Sequence, residues 1–152
     1  MGPERPADYA TEEYQRAQAV TALDRYREGA VLPGVVLLDG EPVGRVTVNN
    51  IVRGPFLSGV LGYWVARHVT GRGVASAAVA AMVRHAFGEG GLHRLEAGTL
   101  VHNHASQAVL RHNGFQRIGL APRYLRIAGR WQDHVLFQRV NDAEVAPATD
   151  LR

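Results

Sequence analysis

The spacing of hydrophobic and polar positions changes several times along the chain, and each change predicts a new element. Six segments are either continuous apolar runs or alternate apolar with polar residues, and both patterns indicate strands. The predicted strands are 32–38, 43–51, 60–65, 92–101, 115–127 and 131–140. Three further segments combine helical spacing or capping residues with glycine stops, which predicts helices over 11–29, 72–87 and 104–112.

The order of these elements predicts the fold class. A helix, three strands, a helix, a strand, a helix and two strands make a mixed α/β sheet with an antiparallel front half and a central parallel pair. Asp39-Gly40 and Ala128-Gly129-Arg130 are the expected hairpin turns. The whole of 1–152 is predicted to be a single domain, with an irregular lead-in over 1–10 and a frayed tail over 141–152.

The middle helix is rich in small residues, so it can lie close to a sheet. Its apolar positions at spacings of three and four predict which side is buried. The positions on this side are Val74, Ala78, Ala81, Met82 and His85, and His85 is expected to be partly buried.

Composition narrows the classes of function. A hydrophobic content of 46% with 20% charged residues is typical of a soluble globular protein, and no apolar run is long enough for a membrane span. The polar residues 1–14 do not resemble a signal peptide, so a cytoplasmic location is expected. The absence of cysteine excludes a disulfide framework, a thiolate metal site and a cysteine nucleophile. His102 and His104 lack an obvious third ligand, so no metal is expected.

The charge pattern argues against a nucleic-acid partner. The net charge is +3, and the basic residues, all arginine, are spread singly from Arg5 to Arg152. A basic stripe of the kind that follows a phosphate backbone is therefore not visible. A modest attraction to anionic ligands is what this pattern supports.

The segment Thr70-Gly71-Arg72-Gly73-Val74-Ala75 leads from a predicted buried strand into a helix. The first N–H groups of a helix lack internal partners and carry positive potential, and glycines let an anion approach the backbone. The segment could therefore hold a phosphate. The alternative is that the glycines only permit a tight strand-to-helix turn, and spacing leaves both interpretations open. The segment has neither the lysine of a P-loop nor the spacing of a dinucleotide fingerprint.

Several short motifs occur in a specific order. They are Gly-Tyr-Trp at 62–64, Gly-Arg-Gly-Val-Ala at 71–75, Gly-Leu-His-Arg-Leu-Glu-Ala at 91–97, Asn-x-x-Ser at 103–106, Asn-Gly-Phe at 113–115 and Gly-Arg-Trp-Gln-Asp-His-Val-Leu-Phe at 129–137. In this order and spacing the chain resembles the GNAT N-acetyltransferase superfamily, and within it the RimJ/RimL type that acetylates ribosomal-protein N-termini. The resemblance covers about residues 32–140.

The resemblance implies transfer of an acetyl group from acetyl-CoA to a primary amine, such as the N-terminal α-amine of a protein or peptide, with CoA as product and no metal. Acetyl-CoA would lie between two splayed parallel strands. The loop amides would hold its pyrophosphate, and the strand 63–65 would offer an N–H group to the thioester oxygen. The implied cofactor-binding residues are Tyr63, Trp64, Val65, Thr70, Gly71, Arg72, Gly73, Val74, Ala75 and Asn103.

Two residues receive catalytic roles from the resemblance. Ser106 would lie near the sulfur and protonate the leaving thiolate, and Asn103 would contact the pantetheine arm or an ordered water. Their pattern also has a simpler explanation, because Asn103 can cap a helix whose first turn Ser106 completes. Both interpretations stay open for these two residues.

The chain departs from the family pattern at several positions. Thr70 occupies a position where Gln or Arg is frequent. Leu110 occupies the position where many members have a tyrosine that acts as the general acid, and Val60 the position where a glutamate base is common. The general base is therefore left open between a water molecule and the side chains of Glu96, Asp133 and His134. The family's first strand is also expected to be absent, which would expose a sheet edge and favour a homodimer. These departures leave a second hypothesis, a catalytically impaired acyl-CoA-binding regulatory module.

Overall fold

The computed structural model describes residues 29–144, which form six strands and two α-helices. The predicted first helix, the lead-in, the question of a missing first strand and the tail beyond 144 lie outside these described residues. The strands are β1 Leu32–Leu38, β2 Glu41–Val52, β3 Ser58–Val65, β4 Arg94–Leu100, β5 Gln116–Ile127 and β6 Arg130–Val140. The helices are α1 Val74–Phe87 and α2 His104–His112.

All six strands belong to one sheet in the order β1-β2-β3-β4-β6-β5. Every neighbouring pair is antiparallel except β3 and β4, which run parallel. The predicted fold class is therefore confirmed, including the antiparallel front half and the central parallel pair.

Both predicted hairpins are present. Asp39 and Gly40 have φ of 52° and 81°, and Ala128 and Gly129 have φ of 52° and 75°. Two consecutive residues with positive φ are the mark of a type I′ turn, whose twist matches that of the two strands it joins. These turns set the register of β1 with β2 and of β5 with β6.

The parallel pair is short, and the two strands separate beyond it. Ser58, Gly59 and Val60 pair with Arg94, Leu95 and Glu96. After Val60 the remainder of β3 stays paired with β2, while the remainder of β4 stays paired with β6. The sheet therefore opens between the carboxyl ends of its two central strands.

The core lies between the sheet and the two helices, and it corrects the predicted face of α1. The buried residues of this helix are Val79, Met82, Val83 and Ala86, whereas Ala81 is exposed. His85 is half-buried, as expected. The apolar stripe is thus rotated by about one position, because the small alanines on every side made the pattern ambiguous.

The sheet edge formed by β1 has exposed apolar side chains at Val35 and Leu37. An edge of this kind can pair with another chain. The homodimer inferred from such an edge stays a prediction. Within residues 29–144, neither helix combines the length and the apolarity that crossing a bilayer requires.

Candidate active site at the separated strands

The backbone of β3 directs N–H groups toward the opening between the central strands. The N–H of Ala66 donates to Val43 O at 2.6 Å on the β2 side. Because N–H groups alternate along a strand, Trp64 also faces β2, while Tyr63 and Val65 direct their N–H groups toward the opening. The predicted strand 63–65 therefore splits into two residues that face the opening and one that does not.

The glycine-rich segment forms a loop at the mouth of this opening. Val69 is buried in the core and fixes the start of the loop, and the Thr70 hydroxyl donates to Arg67 O at 2.7 Å. Gly71 and Gly73 have φ of 78° and 77°, values that residues with a Cβ rarely adopt. A Cβ placed on either glycine would meet no atom within 4 Å, so the space above the loop is open.

The first turn of α1 has features that favour the binding of an anion. Gly73 is the N-cap and has no side chain to accept from the first N–H groups, and the first turn contains no acidic residue. The helix was predicted to begin at Arg72, but it begins at Val74. The left-handed conformation of Gly73 explains this difference. Exposed N–H groups at a helix start, beside glycines of positive φ, make an anion-binding concavity.

Asn103 and Ser106 lie at the start of α2, directly after β4. The Asn103 Oδ1 atom accepts a hydrogen bond from the Ser106 N–H at 3.1 Å, so Asn103 is the N-cap of this helix. The capping interpretation of Asn103 is thereby confirmed. Its oxygen is engaged, which leaves the amide nitrogen as the donor that could meet a ligand.

Ser106 also contacts β3 across the opening. The Tyr63 Oη atom lies 2.6 Å from Ser106 Oγ and donates to the Ser106 carbonyl oxygen at 3.2 Å. Burial raises the pKa of the Tyr63 phenol, and the hydrogen bond with Ser106 partly lowers it. Sequence reasoning placed both residues at the site but did not predict this pair, because they are 43 positions apart.

The three candidate bases occupy different environments. Glu96 is half-buried at the point where the strands separate, and its Oε2 atom lies 3.6 Å from Arg94 Nη1. His134 is buried with Nδ1 at 3.0 Å from Gln132 O, and exposed Asp133 accepts from the N–H of Arg123.

Glu96 is adjacent in register to Val60, the position where a family base was expected. Side chains in register on neighbouring strands lie on the same face of a sheet. Leu95 and Ala97 point into the core under the helices, so Glu96 lies on the opposite face.

Leu110 is fully buried in the core. Among residues 29–144, no three His, Cys, Asp or Glu side chains come close enough to hold a metal ion.

Known proteins similar to this chain in sequence are N-acetyltransferases. The family model described as an acetyltransferase (GNAT) domain matches residues 2–116. The "Probable N-acetyltransferase YjcK" of Bacillus subtilis is 32% identical over 139 residues, covering 90% of this chain and 77% of the relative.

Two further similar proteins are a ribosomal-protein N-acetyltransferase and a RimJ protein of solved structure. The [ribosomal protein uS5]-alanine N-acetyltransferase of Escherichia coli is 36% identical over 96 residues, which are 63% of this chain. The chain spans half the length of that enzyme. The structure of Mycobacterium smegmatis RimJ in complex with CoA-disulfide superposes with a TM-score of 0.89 at 36% identity, covering 95% of this chain and 71% of the other.

Proposed function

The chain belongs to the GNAT acetyltransferase family, and from this premise we propose that it transfers the acetyl group of acetyl-CoA to the N-terminal α-amine of a protein. The observation that carries the proposal is the position of the anion-binding loop. It lies at the mouth of the opening into which β3 directs its N–H groups.

The residues present fit acetyl-CoA. The N–H groups of the loop from Gly71 to Ala75, with the uncapped start of α1, would hold the pyrophosphate. The exposed side chain of Arg72 adds positive charge beside it. Thr70, whose hydroxyl is bonded to Arg67 O, shapes the loop through that bond. The solved relative with a bound CoA derivative supports this assignment.

Acetyl-CoA, when bound, supplies the acetyl group as a thioester. The N–H groups of Tyr63 and Val65 are the donors available for the thioester oxygen, and donors preorganised in this way usually make the largest contribution to catalysis. Trp64 contributes its strand pairing with Arg45 of β2, which holds β3 in place. Ser106 holds a proton at Oγ for the departing sulfur.

The acceptor would enter from the face of the sheet opposite the helices. Of the candidate bases, Glu96 is best placed to take a proton from the amine, because it lies on that face where the strands separate. The relative from Escherichia coli acts on ribosomal protein uS5 at an alanine, which supports a protein α-amine as the acceptor and the cytoplasm as the location. The second hypothesis, an impaired regulatory module, gains no support from these relatives.

Turnover with acetyl-CoA tests the proposal. Release of the CoA thiol would be followed with alanine-initiated peptides, the same peptides blocked at the α-amine, and a panel of small amines. We expect thiol release with the free peptide and none with the blocked one. Thiol release only with small amines would refute the protein acceptor. If no amine in the panel leads to thiol release, transferase activity is refuted.

Asn103 variants separate its capping role from a contact with acetyl-CoA. Asn103→Ala removes the N-cap and should lower the free energy of unfolding by about 1 kcal/mol. Asn103→Ser retains a capping oxygen but has no amide N–H, so stability should return while affinity for acetyl-CoA stays several-fold weaker. Chemical denaturation and calorimetric titration measure the two effects. Full affinity in Asn103→Ser would mean that Asn103 acts only as the cap.

A further inference from the structure

The hydroxyl pair formed by Tyr63 and Ser106 links the two sides of the opening. Tyr63 lies on β3 and packs against the core, and Ser106 lies in the first turn of α2. The separation of 2.6 Å between their oxygens is at the short end for an O–H···O hydrogen bond. Each hydroxyl has one proton, so the pair can adopt two arrangements.

In the first arrangement, Ser106 donates to Tyr63 Oη, and the phenol donates to the Ser106 carbonyl oxygen at 3.2 Å. In the second, Tyr63 donates to Ser106 Oγ, and the serine proton becomes free to face the opening. Only the second arrangement lets Ser106 serve as an acid.

We propose that Tyr63 is a positioning residue that orients the Ser106 proton toward the leaving sulfur and replaces that proton as it departs. The proposal rests on the proposed acetyl transfer. As the C–N bond forms and the C–S bond breaks, Ser106 Oγ gives its proton to the sulfur and takes the proton of Tyr63 Oη. The proton that Glu96 takes from the acceptor nitrogen returns through water to Tyr63, so the protons balance.

The acid strengths of the groups favour this relay. An aliphatic hydroxyl is a far weaker acid than a phenol, so serine alone would have to become an alkoxide. A phenol ordinarily has a pKa of about 10 and a thiol about 8.5, which are much closer to each other. Burial raises the pKa of Tyr63, so the phenol keeps its proton at neutral pH.

The relay also accounts for a departure from the family pattern. The position where many members have a tyrosine as the acid is Leu110, which is buried in the core. In this chain the Tyr63 phenol reaches Ser106 from β3.

Tyr63→Phe removes the hydroxyl and keeps the ring that packs against the core. We expect kcat to fall about 100-fold, the size typical for general acid catalysis, with the KM for acetyl-CoA within about two-fold. The double variant with Ser106→Ala should be no slower than Ser106→Ala alone, because both residues act through one proton path. Unchanged kcat in Tyr63→Phe, or losses that multiply in the double variant, would overturn the relay.

Two readouts test the proton path and the hydrogen bond on which it depends. Site-specific replacement of Tyr63 by a fluorotyrosine lowers the pKa of the phenol, and the alkaline limb of the kcat profile should move down by the same amount. Without any acyl donor, NMR of ¹³Cζ-labelled tyrosine should show that Ser106→Ala raises the pKa of Tyr63, because the serine hydrogen bond lowers it. A limb that does not move, or a pKa unaffected by Ser106→Ala, refutes the proposal.

Failure of the proposed function would look different. If the wild-type chain acetylates no amine, the transferase proposal and the relay both fall. If the wild-type chain is active and Tyr63→Phe is equally active, only the relay falls.

Discussion

Gly73→Glu is expected to weaken the binding of acetyl-CoA by at least about 100-fold while the protein stays folded. The new carboxylate would stand at the start of α1, where the first N–H groups are available to an anion. Two unit charges about 4 Å apart near a protein surface repel by about 4 kcal/mol, and each 1.4 kcal/mol changes Kd about tenfold. Calorimetric titration should therefore show affinity at least about 100-fold weaker.

The chain offers a closely matched control for this variant. Gly129 in the β5–β6 hairpin has φ of 75°, against 77° for Gly73, and a Cβ at either position meets no atom within 4 Å. Gly129→Glu therefore introduces the same backbone strain and the same charge, but in a hairpin turn and not at a helix start. It should bind acetyl-CoA like the wild type. Equal affinity in both variants would show that the loop does not hold the pyrophosphate.

The loop shows how far sequence reasoning extends. A strand followed by Gly-x-Gly and a helical pattern predicts an anion-binding turn, because each of these signals is local. The exact start of α1 depends on the left-handed conformation of Gly73, which glycine permits but does not require. The helix was therefore predicted, and its first residue was misplaced by two positions.

The opening between β3 and β4 was expected only through family resemblance. Hydrophobic alternation identifies strands but does not say how many residues of two parallel strands pair. Here three positions pair, from Ser58 to Val60, and the later residues belong to other ladders. The length of this parallel pairing is set by the tertiary packing of the two halves of the sheet, and no local sequence pattern predicts it.

The buried face of α1 illustrates a different limit. Because Ala80 and Ala81 are small, either could fit against a sheet, and periodicity could not choose between neighbouring stripes. The structure buries Val79, Met82 and Val83, so the larger side chains decided the face. The contact between Tyr63 and Ser106 could not be predicted from the sequence either, because it depends on both the sheet opening and the position of α2.

Ser106→Ala is expected to lower kcat about 100-fold with an acyl-CoA affinity close to that of the wild type. The serine backbone N–H would still donate to Asn103 Oδ1, and alanine is favourable in a helix, so α2 should remain intact. The lost group is the hydroxyl that faces Tyr63, and the expected loss is therefore in proton transfer. Steady-state kinetics together with acetyl-CoA titration separate the two effects.

Ser76→Ala is the control for this change, because Ser76 is the third residue of α1, as Ser106 is the third residue of α2. The Ser76 hydroxyl accepts from Asn113 Nδ2 at 3.2 Å and takes no part in the proposed proton path. Its variant should keep kcat within about two- to three-fold, since one neutral hydrogen bond contributes about 1 kcal/mol to stability and not to the proton transfer. If Ser106→Ala is as active as Ser76→Ala, the sulfur leaves without a proton from Ser106, and the tyrosine behind that serine has no part in the reaction.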